Sequence, residues 1–161
     1  MERIQAWTDG GCRGNPGVGA WAFMLLDSHT GKALSCAAGE ASTTNNRMEM
    51  LAAIQTMRSL KQPSPICIHS DSRYLIDCCS KWLPGWKRQG WKRKGGELKN
   101  VDLLKILDEL LATHQVRWTW VKGHSGDAGN DYVDGLLNTV MDRIQAGNPK
   151  AHIEKRHQWP L

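Results

Sequence analysis

Between residues 3 and 40 the chain reads as three strands in a row, and no helical pattern interrupts them. Residues 3–9 lean apolar. "GVGAWAFMLLD" (17–27) is rich in strand formers, and "GKALSCAAGE" (31–40) follows the turn signal "SHTG", so 18–40 reads as a hairpin. The period then changes. Met50, Ala53, Ile54, Met57 and Leu60 recur at helical spacing behind a cap at Thr43 or Thr44, and Pro63 and Pro65 end that helix. "ICIHSD" (66–71) predicts a fourth strand and 115–121 a fifth, while 72–80, 101–114 and 130–146 predict helices. Consecutive strands pair as an antiparallel meander. Strands separated by helices pair in parallel through right-handed crossovers. The expected fold is therefore α/β: a mixed five-stranded sheet with helices on both faces. With 161 residues, 40% of them hydrophobic, the chain can bury one full core. The expected division is a domain over 1–146 and a C-terminal tail, 147–161, with little pattern.

Several classes are excluded early. No apolar run approaches the ~20 residues of a membrane helix, and "MERIQAW" lacks the apolar stretch of a signal peptide. The five cysteines are odd in number, two of them are adjacent (Cys78 and Cys79), and no CxxC spacing occurs. Neither a disulfide framework nor a zinc site is indicated, and a reduced, cytoplasmic protein is expected. The charge is more selective. Residues 81–99, "KWLPGWKRQGWKRKGGELK", carry seven Lys or Arg against one acid, in a chain whose net charge is +5. A basic run is usually a solvated face. Here Trp82, Trp86 and Trp91 are threaded through it. Cations that meet phosphates, interleaved with indoles that pack on sugars or bases, suit a nucleic acid better.

Two predicted strands run into carboxylates, Asp9 and Asp71. If those strands are parallel neighbours, both acids lie at the sheet's carboxyl edge, where open α/β sheets bind ligands. Asp9 is followed by Gly10, Gly11, Gly14 and Gly17. Such a stretch is either a plain turn or a thin loop against which something large can lie. Glu49 falls early in the first long helix, and Asp134 early in the last, each beside its apolar stripe. Four converging acids repel unless cations neutralise them, and all-oxygen ligands select Mg²⁺ or Mn²⁺. Two such ions about 4 Å apart form a clamp for phosphodiester hydrolysis.

Five motifs, in order along residues 3–145, carry a resemblance: "TDGGCRGNPG" at 8–17, "TTNNRMEM" at 43–50, "SDSRY" at 70–74, "WKRQGWK" with "KNVDL" across 86–103, and "WVKGHSG" with "ND" and "VD" across 120–134. Together they resemble a bacterial type 1 ribonuclease H. The resemblance implies strand order 3-2-1-4-5, endonucleolytic cleavage of the RNA strand of RNA/DNA hybrids by two Mg²⁺ ions (or Mn²⁺), and 5′-phosphate and 3′-hydroxyl products. It implies that Asp9, Glu49, Asp71 and Asp134 hold the metals and that His124, in a glycine-flanked loop, assists catalysis. It places Cys12, Asn15, Asn45 and Asn46 against sugars and base edges, Thr44 and Asn100 in a DNA-phosphate pocket, and Trp82 and Trp86 in a groove for the DNA strand. With Arg73, Lys87, Arg88, Trp91 and Lys92 these form the expected substrate contacts. A hybrid is the expected partner, with no membrane, and a monomer the expected state.

The chain departs from the family pattern at Gly11, Arg73, Asp131 and Gly135, where Ser, Gln, Glu and a better helix former are usual. An arginine at 73 favours a phosphate contact over minor-groove hydrogen bonding. Asp131, one helical turn before Asp134, is the reserve candidate for the fourth ligand. His69, His114, His152 and His157 receive no role. A non-catalytic hybrid-binding module and another nuclease of the same superfamily are the rival readings. The complete acid set speaks against the first, and the Trp/Lys segment with the GNPG and TTNNR motifs against the second.

Overall fold

The computed structural model describes residues 2–93, 95–123 and 125–161. Strands β1 (Ile4–Arg13), β2 (Gly17–Asp27) and β3 (Lys32–Thr43) form the antiparallel meander. Helix α1 (Asn45–Arg58) follows. Thr44 caps it, its side chain accepting a hydrogen bond from the Arg47 amide, so the cap falls on the second of the two threonines. Strand β4 (Pro65–Ser70) lies parallel to β1. Beyond it the expected helix over 72–80 is broken into α2 (Arg73–Asp77), a π-helical turn (Cys78–Trp82) and α3 (Leu83–Arg88). A two-residue ribbon, β5 (Lys92–Arg93) with β6 (Gly96–Glu97), leads into α4 (Val101–Thr113). Strand β7 (Gln115–Trp120) pairs in parallel with β4, and α5 (Ala128–Gln145) recrosses the sheet. Among the described residues no helix is long and apolar enough to cross a membrane.

The expected order 3-2-1-4-5 is present as β3-β2-β1-β4-β7, but the sheet has six strands. The expectation of five strands and a patternless tail is corrected here. His152–Gln158 forms β8, antiparallel to β3 from Lys32↔Gln158 to Ala38↔His152. It covers a sheet edge whose backbone groups would otherwise be unpaired. Trp159 then packs on Tyr132 of α5, with ring centroids 5.1 Å apart.

Alternation along the strands divides the apolar residues between two faces. On one face Ala6, Ile66 and Ile68 pack with Met50, Ile54 and Met57 of α1 and with Leu104 and Leu107 of α4. On the other, Ala20, Ala22 and Met24 meet Val133, Leu137 and Val140 of α5. The many alanines let α5 lie close to the sheet. The two layers hold α1 and α5 against opposite faces of β1, and this brings Glu49 and Asp134 toward Asp9.

Candidate active site

The expected strand over 3–9 does not stop at Asp9: β1 runs on through Gly10 and Gly11 to Arg13, so Asp9 lies inside the strand opposite Ala22, while Asp71 directly follows β4. The two acids meet because their strands are in register. The β1–β4 ladder pairs Thr8 with Ser70, and Asp9 and Asp71 are the next residue on each chain. Asp9 is buried, and its Oδ1 accepts a hydrogen bond from the Gly10 amide at 2.9 Å. Glu49 is also buried, on the side of α1 that faces β1. Carboxylate oxygens of Asp9, Glu49 and Asp71 all lie within 4.8 Å of one another. Asp134 approaches from α5 and interacts with both Asp9 and Asp71. Asp131 is exposed, so the structure gives Asp134 the better position of the two.

Burial dominates the electrostatics of this cluster. It pushes the Asp9 carboxyl up to about 8, and the neighbouring charges of Asp71 and Asp134 add to the effect. Glu49 is held well above the ordinary range, first by burial and then by Asp9 and Asp71. Asp71 is raised by burial, against opposing contacts from Glu49 and Asn130. Among the described residues no Lys or Arg forms an ion pair with these acids; the ion pairs use Glu2, Asp27, Asp77, Asp102, Asp108 and Asp142. Glu49 Oε1 is buried without a hydrogen-bond partner. A buried, unpartnered carboxyl of this kind is costly to ionise unless an ion completes the site. The all-oxygen donor set fits a hard divalent cation.

A polar rim adjoins the acids. The Cys12 amide donates to Asn45 Oδ1 (2.8 Å), the Asn45 amide donates to Asn15 Oδ1 (3.2 Å), and the Cys12 thiol lies 3.6 Å from that same oxygen. The turn after β1 is thereby locked to the start of α1. Arg47 ends the "TTNNR" run at the start of α1. Its guanidinium donates to Asn100 Oδ1 (3.2 Å) and pairs with Asp102 (2.8 Å). It thus fixes Asn100, which caps α4 in the left-handed conformation at φ 61°, beside the α1 cap at Thr44.

Next to this rim lies a groove of about 480 Å³ lined by Asn46, Tyr74, Trp82, Trp86, Arg93 and Asn100. The Trp82 and Trp86 rings are 5.7 Å apart, and Tyr74 closes the edge at 6.3 Å from Trp82. Tyr74 lies within "SDSRY" but carried no separate signal. Arg88 and Lys92 are exposed. Lys87 pairs with Asp108 at 3.0 Å, and Trp91 is half-buried against the core. Arg73 lies over the Trp120 ring. His124 and Lys94 lie outside the described residues. A larger cavity, about 660 Å³, opens at the opposite end of the sheet around Ile4, Leu25 and Leu60. Chemistry, not volume, distinguishes the carboxylate site.

The ribonuclease H family model matches residues 1–141. A ribonuclease H of Acidithiobacillus ferrooxidans is 50% identical over 145 residues, covering 89% of this chain and 90% of its own. One from Bordetella pertussis is 44% identical over 142 residues, covering 88% and 90%. Among solved structures, LC9-RNase H1, described as a type 1 RNase H with the type 2 active-site motif, superposes with a TM-score of 0.79 at 28% identity, over 89% of this chain and 74% of that one. LC11-RNase H1, solved in complex with an RNA/DNA hybrid, shares the fold at a TM-score of 0.64 and 19% identity, over 88% and 99%. Together with the carboxylates of Asp9 inside β1 and Asp71 just after β4, these matches show that the chain belongs to the ribonuclease H family.

Proposed function

We propose that the protein is a metal-dependent endonuclease that hydrolyses the RNA strand of RNA/DNA hybrids and leaves 5′-phosphate and 3′-hydroxyl ends. The observation that carries this reading is the cluster of buried Asp9 and Glu49 with half-buried Asp71, none of them paired with a Lys or Arg among the described residues, beside a groove of tryptophans and cations. Asp9, Glu49, Asp71 and Asp134 are the residues that would hold Mg²⁺ or Mn²⁺. Two bound ions supply an activated water and stabilisation of the leaving oxygen. The protein's own part is positional. Gly10 brings α1 against β1, and α5 carries Asp134 toward Asp9.

Cys12, Asn15, Asn45 and Asn46 sit where the minor groove of a hybrid would lie, the groove in which RNA displays its 2′-hydroxyls. Thr44 and Asn100 would receive a DNA phosphate, with Arg47 holding Asn100 in place. Trp82 and Trp86 would hold the DNA strand, and Arg88 and Lys92 its phosphates. His124, four residues past the end of β7 in sequence, is assigned proton transfer or product release, since an imidazole can exchange protons near neutral pH.

The test is incubation with end-labelled RNA/DNA hybrid, duplex DNA and duplex RNA, each with and without Mg²⁺. Internal cuts in the RNA of the hybrid alone, and only with metal, are expected. Cleavage of duplex DNA, or metal-independent cleavage, overturns the reading.

A further inference from the structure

Arg73 is distinguished by its place, two residues from Asp71, and by what holds it, an indole and not a carboxylate. Among the described residues Arg3, Arg13, Arg47, Lys81, Lys87 and Arg117 are each paired with a carboxylate. Arg73 has no such pair, although it stands two residues from Asp71 at the acidic cluster. Its guanidinium lies over the Trp120 ring, 4.1 Å from the centroid. Trp120 is itself anchored, with Nε1 donating to the Asp71 backbone carbonyl at 3.2 Å. The ring is still 43% exposed, an unusual state for an indole at the end of a strand. Arg73 is exposed as well.

These contacts do not describe an internal counter-ion for the acids. They describe a cation held on a platform. The indole engages one face of the guanidinium and leaves its in-plane N–H donors free, the edge that binds phosphate in a fork. Two residues of extended chain span at most about 7 Å. A phosphate bound by Arg73 would therefore be a near neighbour of one held at the acids. A cation here also offsets the repulsion that four carboxylates exert on an approaching polyanion.

We infer that Arg73, held on Trp120, clamps an RNA-strand phosphate close to the scissile one. This rests on the proposed hybrid-cleaving function and assigns one more contact within it. The clamp would contribute to binding and register separately from the Trp82–Trp86 groove, whose lining does not include Arg73.

The experiment compares wild type with Arg73→Gln on hybrids carrying one neutral methylphosphonate at successive RNA positions, with binding measured in EDTA at several salt concentrations. Arg73→Gln is expected to weaken binding about two- to fivefold and to lower the log–log salt slope by about 0.7–0.9. At one RNA position near the cut, the methylphosphonate should weaken wild type but not Arg73→Gln. Trp120→Leu should raise KM while keeping the salt slope, because the charge remains. An unchanged slope in Arg73→Gln, or methylphosphonate effects that add to it at every position, overturns the clamp. A wild-type protein that neither binds nor cuts the hybrid overturns the underlying function instead.

Discussion

Gly10 and Glu49 are in backbone contact: a Cβ on Gly10 would collide with the Glu49 amide nitrogen and the Met48 carbonyl. That approach is what seats the Glu49 carboxyl beside Asp9. Gly10, inside β1 directly after Asp9, is thus a packing requirement and not part of a turn.

Gly10→Ala must push α1 off β1. Overpacking of this kind costs about 1–3 kcal/mol, so the urea midpoint should fall. Hydrolysis should fall more than stability does, because Glu49 moves relative to Asp9 and Asp71. Urea titration and hybrid cleavage on the same preparation check this. A variant with wild-type activity would show that the contact is not needed.

Asp9 gives the metal-free protein an unusual pH dependence. Its carboxyl titrates near 8 in the folded chain and near an ordinary 3.9 when unfolded. Between those values the folded state binds more protons, so stability falls as pH rises from about 4 to about 8. Glu49, also raised, acts in the same direction. Mg²⁺ should reverse the slope, since ionised ligands bind it best. Urea unfolding at pH 5, 7 and 9, in EDTA and in Mg²⁺, tests both halves. Asp9→Asn should flatten the EDTA curve and abolish cleavage while hybrid binding survives. A flat wild-type curve in EDTA would remove the electrostatic basis for the metal site.

Arg88, Lys92 and Arg93 are exposed, and Arg93 lines the tryptophan groove. Replacing all three by Gln should raise KM far more than it lowers kcat, because grip remote from the acids stabilises ground and transition states alike. The salt slope should drop by about 0.7–0.9 per lost phosphate contact. Lys87→Gln should cost less, since Lys87 already serves Asp108. Binding titrations across salt concentrations decide between a nucleic-acid interface and a solvated face.

Trp159→Ala removes a half-buried indole from Tyr132. A loss of about 1–3 kcal/mol is expected, or roughly 3–10 °C in Tm. Turnover well below that temperature should be unchanged. A Tm equal to wild type would mean that β8 does not support the fold.

Much of this protein is legible in one dimension. Asp9 and Asp71 end apolar stretches, Thr44 precedes a helical stripe, and the strand–helix order dictates which strands run parallel; each is a local pattern written by hydrophobic period and turn chemistry. The basic Trp-rich segment is legible for the same reason, since charge is a property of composition. What depends on distant partners is not legible. Glu49 sits one position off the apparent stripe, yet it is buried, because Gly10 brings β1 within reach of that side of α1. Lys87 looks free until Asp108 folds beside it. The segment 152–158, "HIEKRHQ", is mostly polar, since an edge strand keeps many of its side chains in solvent. Its place in the sheet comes from backbone hydrogen bonds to β3, from the contact of His157 with Ser35 at 2.6 Å, and from Trp159 on Tyr132. The meeting of the four acids is also tertiary. Sequence names the carboxylates, but only the register of β1 with β4, and the two helices packed on opposite faces of that pair, set how close they come.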